Sequence, residues 1–104
     1  MTIVQYINAT PHAINVAGVI YPKTELLARV AEEYTDIVDG ECTAIYGQVE
    51  GLPEMQEGTK YIVSAQVLAA SDRADLVAPA TGHKDVVRNE RGHIVSVPCF
   101  RRNP

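Results

Sequence analysis

Two short stretches collect side chains able to hold a polar ligand. Thr10-Pro11-His12 offers a hydroxyl, a rigid backbone and an imidazole; Pro79-Ala80-Thr81-Gly82 offers a hydroxyl beside a glycine past which a phosphate can approach the backbone. Ser64 is a third candidate, standing between the β-branched run Tyr61-Ile62-Val63 and an Ala-, Leu- and Gln-rich stretch. A serine there caps free helix N–H groups, and the same groups can instead hold a phosphate or carboxylate; the plain cap is the commoner use. Arg73 and Asp75 are spaced for a local ion pair, and Arg88 sits in a strand-like run where a charge faces either water or a pocket. The five tyrosines of this Trp-free chain are faces on which a base could stack, or half-buried strand packing.

Catalytic signatures are absent from the sequence. It contains no P-loop, no G-x-G-x-x-G, no H-E-x-x-H and no G-x-S-x-G. His12, His83 and His93 are widely separated, and isolated histidines are more often surface or core residues than metal ligands. Glu32 and Glu33 point to opposite faces if their segment is a strand, so they cannot act as an acid and base pair from one side. Neither Cys42 nor Cys99 belongs to a C-x-x-C pair, so both are read as reduced and structural. Neither a metal nor a cofactor is expected.

The elements that position these residues are short. With 104 residues, 46% hydrophobic and 21% charged, the chain has room for one domain, residues 1–104, with one core. No apolar run reaches the ~20 residues of a membrane helix and no signal peptide is apparent, so a cytoplasmic protein is expected. Residues 58–82 read as strand, short helix (about residues 65–72) and strand, the only candidate parallel pair. Residues 2–7 and 13–17 read as a hairpin with a five-residue loop, Gly18 as a kink or bulge before residues 19–21, and Pro22 as that segment's end. Residues 26–38 suit strand or, over 25–33, helix; strand is preferred because Asp39-Gly40 is the strongest hairpin signal present and residues 42–49 form the second arm, with Gly47 as a bulge. Residues 86–89 and 93–97 make a last hairpin, followed by an exposed Arg-Arg-Asn-Pro tail. The expected fold is α+β: a mainly antiparallel, twisted β-sheet or partly open barrel of about six to eight strands with one short helix.

The net charge of −4 argues against general nucleic-acid binding, but it is unevenly spread. Residues 24–60 hold Glu25, Glu32, Glu33, Asp36, Asp39, Glu41, Glu50, Glu54 and Glu57 against Arg29 and Lys60, whereas residues 83–104 hold Lys84, Arg88, Arg91, Arg101 and Arg102 against Asp85 and Glu90. Either this is chance clustering on a solvated surface, or one subunit's basic tail meets another's acidic face or lines an anion pocket.

Several blocks carry a resemblance: Asn8-x-Thr10-Pro11-His12, Ala28-Arg29-Val30, Gly47-x-Val49-Glu50-Gly51-Leu52-Pro53, Gly58-Thr59-x-Tyr61-Ile62-Val63-Ser64, Arg73-x-Asp75 and Val87-Arg88-x-x-x-Gly92. Together they resemble a family of small phage and prophage proteins over nearly the whole chain. In size and source such proteins are similar to viral sponges that bind nucleotide immune signals, including the anti-Thoeris proteins Sequestin and Lockin. The resemblance implies a non-catalytic protein that sequesters a signal such as a cyclic ADP-ribose isomer at a homo-oligomer interface. In that reading Arg29, Arg73, Arg88 and Arg101 hold phosphates, Tyr61 or Phe100 the base, and Thr10, His12, Ser64 and Thr81 the ribose or phosphate oxygens. A protein-interaction module is the alternative, with edge strands near Pro22 or Pro98 docking a partner; a hydrolase using His12 or His83 ranks last.

Overall fold

A computed structural model describes residues 4–104. The core is built on β-strands β1 (Gln5–Asn8), β6 (Thr59–Ile62), β7 (Leu76–Pro79) and β10 (Phe100–Arg101), which form one sheet in the order β1-β6-β7-β10. Both β1 and β7 run parallel to β6, and β10 runs antiparallel to β7. The remaining strands form three antiparallel hairpins: β2 (Ile14–Val16) with β3 (Val19–Tyr21), β4 (Arg29–Tyr34) with β5 (Ala44–Glu50), and β8 (Val87–Arg88) with β9 (Ile94–Ser96). The architecture is α+β with several separate sheets, none closed into a barrel.

The one helix among the described residues, α1 (Ala65–Ala69), is five residues long and shorter than the sequence reading of 65–72. Ser71 ends it: its hydroxyl accepts the Arg73 N–H at 3.1 Å, a local turn that competes with further helix. Val67 and Leu68 of α1 pack with Ala9, Tyr61, Val63, Leu76 and Ala78 as one buried cluster, against which Ile7, Leu26, Ala28, Val49 and Leu52 are partly buried. Tyr61-Ile62-Val63 and Leu76-Val77-Ala78 are buried at every position because they lie in or directly follow the central strands of the sheet.

The hairpin expected from residues 2–7 with 13–17 does not form. Residues 2 and 3 lie outside the described residues; β1 pairs with β6, and β2 pairs instead with β3 across a tight turn at Ala17-Gly18, whose φ angles are 51° and 85°. Gly18 is therefore a turn residue rather than a bulge, because two successive left-handed residues give the turn whose twist suits a two-residue hairpin. The Asp39-Gly40 hairpin does form, with φ of 54° and 81° at the turn, and strand is the conformation of β4. Its register slips so that Gly47 and Gln48 face Ala31 alone, a bulge at the glycine read as one. In the tail Arg101, Arg102 and Pro104 are exposed as expected, but Arg101 belongs to the fourth strand, β10, and the half-buried Asn103 amide donates to Leu68 O and Ser71 O at 2.8 and 2.9 Å, closing the C-terminal end of α1.

Candidate functional site

Asn8, the last residue of β1, organises the loop that follows. It is buried, and its amide donates to His12 O at 2.8 Å and Tyr21 O at 3.0 Å. Its Oδ1 accepts the Thr10 N–H at 2.9 Å, and the Thr10 hydroxyl lies 2.6 Å from Oδ1 and 2.9 Å from His12 O. An Asn binding its own backbone two residues on is an Asx turn, and it bends the chain out of the sheet at the carboxyl end of β1. The chain returns there from β3: the Thr24 hydroxyl donates to Asn8 O at 2.6 Å and the Ala28 N–H to Ala9 O at 2.9 Å. Leu27 to Val30 are thus laid beside the Ala9-Thr10-Pro11 turn.

These segments and the start of α1 enclose a cleft of about 330 Å³, lined by Thr10, Pro11, Leu27, Arg29, Val30, Ser64, Gln66 and Val67 among others. It lies outside the carboxyl ends of the parallel strands β1 and β6, the place where sheets of this kind bind ligands. Its walls are mostly apolar. Its polar side chains are those of Arg29, Gln66, Ser64 and Thr10, the Thr10 hydroxyl being already engaged by Asn8 and His12; among the described residues no Asp, Glu, His or Cys lines it. Arg29 is exposed and makes no ion pair among the described residues. Ser64 is the N-cap of α1 and accepts the Val67 N–H at 3.2 Å, so the capping use of this serine is the one present.

Of the ten residues read from the sequence as ligand-binding, the structure brings Thr10, Arg29 and Ser64 together in this cleft. The others lie elsewhere. Tyr61 is 2% exposed in the core, with the Arg73 guanidinium 5.9 Å from its ring centre, so its faces are already covered and cannot stack a base. Arg73 grips Asp75 with two hydrogen bonds of 2.9 and 2.6 Å and donates to Pro53 O at 3.0 Å. The hydrogen bond to Asp75 raises the guanidinium pKa above its ordinary value, against a smaller opposing effect of burial. This arginine lines a separate depression of about 420 Å³ with Lys60, Asp72 and Arg102, at the amino ends of β6 and β7. Phe100 stacks on Tyr6 at 4.5 Å and meets Tyr21 edge-on at 5.5 Å, an aromatic cluster beneath β10. The Arg88 guanidinium donates to Gly92 O at 2.8 Å and fastens the β8–β9 turn. His12, Thr81 and Arg101 are exposed and line none of the clefts described above.

Sequence reasoning passed over Gln66, Leu27 and the organising role of Asn8. The Asn-x-Thr spacing was the one local signal, since it is the pattern of an Asx turn. Among the described residues no group of three His, Cys, Asp or Glu side chains is placed to hold a metal ion, and Cys42 and Cys99 are exposed free thiols rather than buried structural ones. No helix among the described residues is long and apolar enough to cross a membrane. No family model, no curated protein and no solved structure matches the chain.

Proposed function

We propose that this chain is a phage-type, non-catalytic binding protein that sequesters a small phosphorylated ligand, of the class of nucleotide immune signals derived from ADP-ribose, with one nucleoside-phosphate unit seated in the Thr10–Arg29–Ser64 cleft. The carrying observation is the cleft's lining: an unpaired arginine, the Gln66 amide and the Ser64 hydroxyl, and apolar walls from Pro11, Leu27, Val30 and Val67. An arginine fork recognises phosphate, apolar walls accept a base, and small-molecule sites of this build typically measure ~300–1,000 Å³. A lining without a carboxylate, imidazole or thiol supports holding the ligand rather than cleaving it. The setting in antiphage defence rests on the sequence resemblance alone.

Thermal unfolding with AMP, ADP-ribose and cyclic ADP-ribose isomers tests the reading. A ligand at about 100 times its dissociation constant adds about 2.7 kcal/mol to the folded state, which for a domain of this size raises the midpoint by roughly 10 °C or more. The shift should fall away in Arg29→Gln and persist in Arg102→Gln, which belongs to the other depression. Ligand recovered intact after denaturation is the expected result; a cleaved product would sink the proposal. A second reading, a module that docks on another protein, is favoured by the exposed apolar ribbon of β4 and β5, and the absence of a shift with every nucleotide would support it.

A further inference from the structure

Beyond its root, the β4–β5 ribbon stands uncovered. Every residue from 31 to 48 is exposed except Ala44, and Tyr34, Ile37, Val38, Ile45 and Tyr46 among them are 51 to 77% exposed. The register sets Tyr34 opposite Ala44 and Glu32 opposite Tyr46, so both tyrosines share one face of the ribbon. A two-stranded ribbon is marginal in water until a third strand or a packed surface covers it, and each free edge is a template for pairing.

Charge selects the cover. Residues 31–48 contain Glu32, Glu33, Asp36, Asp39 and Glu41 and no Lys or Arg, so two such arms laid side by side repel. The β8–β9 hairpin is the opposite surface: Val87, Ile94 and Val95 are exposed there, and residues 84–96 carry Lys84, Arg88 and Arg91 against Asp85 and Glu90. Both ribbons are exposed in the same chain, so neither covers the other within one copy.

We infer that two copies of this chain form a two-fold dimer by reciprocal arm exchange, the acidic β4–β5 arm of each lying along the basic β8–β9 hairpin of the other. Each copy then gives one arm and receives one, and the closed symmetry leaves no unused end from which a filament could grow. The inference stands independently of the cleft, because neither the arm beyond residue 30 nor β8–β9 lines it.

Sedimentation or light scattering of the full chain reads the outcome. The expected species is a dimer at low salt whose dissociation constant rises at least about tenfold when salt is raised until exposed charges are screened. The double variant Tyr34→Ser, Tyr46→Ser should weaken the dimer by about tenfold or more while circular dichroism is retained, since both side chains are exposed. Reversing charge on the arm (Glu33→Lys, Glu41→Lys) or on the hairpin and its approach (Lys84→Glu, Arg91→Glu) should each give a monomer. An equimolar mixture of the two reversed chains should dimerise, because both exchanged contacts become complementary again. A wild-type monomer at high micromolar concentration and low salt overturns the inference; so does a dimer indifferent to the tyrosine changes, or reversed chains that stay apart when mixed.

Discussion

Asn8 uses both amide protons and both Oδ1 lone pairs on buried or part-buried partners, and no buried side-chain polar atom among the described residues lacks a partner. Asn8→Ala would remove the side-chain partners of Tyr21 O and the Thr10 N–H and leave His12 O to the Thr10 hydroxyl alone. The expected loss is about 2–4 kcal/mol, read as a lower urea midpoint at unchanged slope. Tyr34 gives a prediction in pH. Its phenol donates to Glu32 Oε2 at 2.8 Å, and that hydrogen bond, followed by the carboxylate's negative charge, raises its pKa above the usual 10. The contribution is complete below the unfolded phenol's pKa and is lost as pH rises through the higher folded value. An ultraviolet titration of wild type minus Tyr34→Phe should place this tyrosine above the ordinary range, and Glu32→Gln should bring it back down. At this scale the sequence was readable where partners are near neighbours, as with Arg73 and Asp75. It was unreadable for Tyr61, because a tyrosine in a strand has the same local pattern whether its ring is buried or offered to a ligand.

Among the elements, the block Val49-Glu50-Gly51-Leu52-Pro53 has a physical reason to contain its glycine. Gly51 has φ of 91°, and a Cβ there would come within 2.1 Å of Leu27 O. The close passage holds the exit of β5 against the segment that forms one wall of the cleft. Gly51→Ala therefore combines a left-handed backbone with a clash against main chain, and is expected to cost about 3 kcal/mol or more, with low soluble yield and an early thermal transition. Gly40→Ala also meets a positive φ, of 81°, but nothing lies within 4 Å of the added carbon, so the cost should be about 1 kcal/mol. The β4–β5 hairpin was legible because Asp39-Gly40 is local chemistry with a defined turn. The length of α1 was less so: its composition continues to suit a helix, while the Ser71 hydroxyl and the distant Asn103 amide decide where it stops.

For the whole molecule, the radius of gyration is 15.6 Å and the extents are 51 × 39 × 27 Å, against roughly 13 Å for a compact domain of this length. The β4–β5 arm, exposed from residue 31 to 48 except at Ala44, is the surface that the proposed dimer would cover. The pairing of β1 was the largest departure from the sequence reading. A five-residue loop is compatible with a hairpin, but the Asx turn at Asn8 redirects the chain, and nothing near residue 5 in the sequence announces that its partner is Thr59. The β6-α1-β7 unit was legible because all its parts are contiguous.

The strand order β1-β6-β7-β10 also sets a sequence of events in time. The sheet's first strand is made early in synthesis, yet its neighbour begins at Thr59 and the outer strand at Phe100. Loop closure over such separations is slow, and an emerging chain cannot close a loop whose far side has not been made. Strand β1 and the uncovered arm must therefore wait for residues 59–62 to be made, and five acidic residues without a compensating base give arms on neighbouring chains a like charge that disfavours their pairing meanwhile.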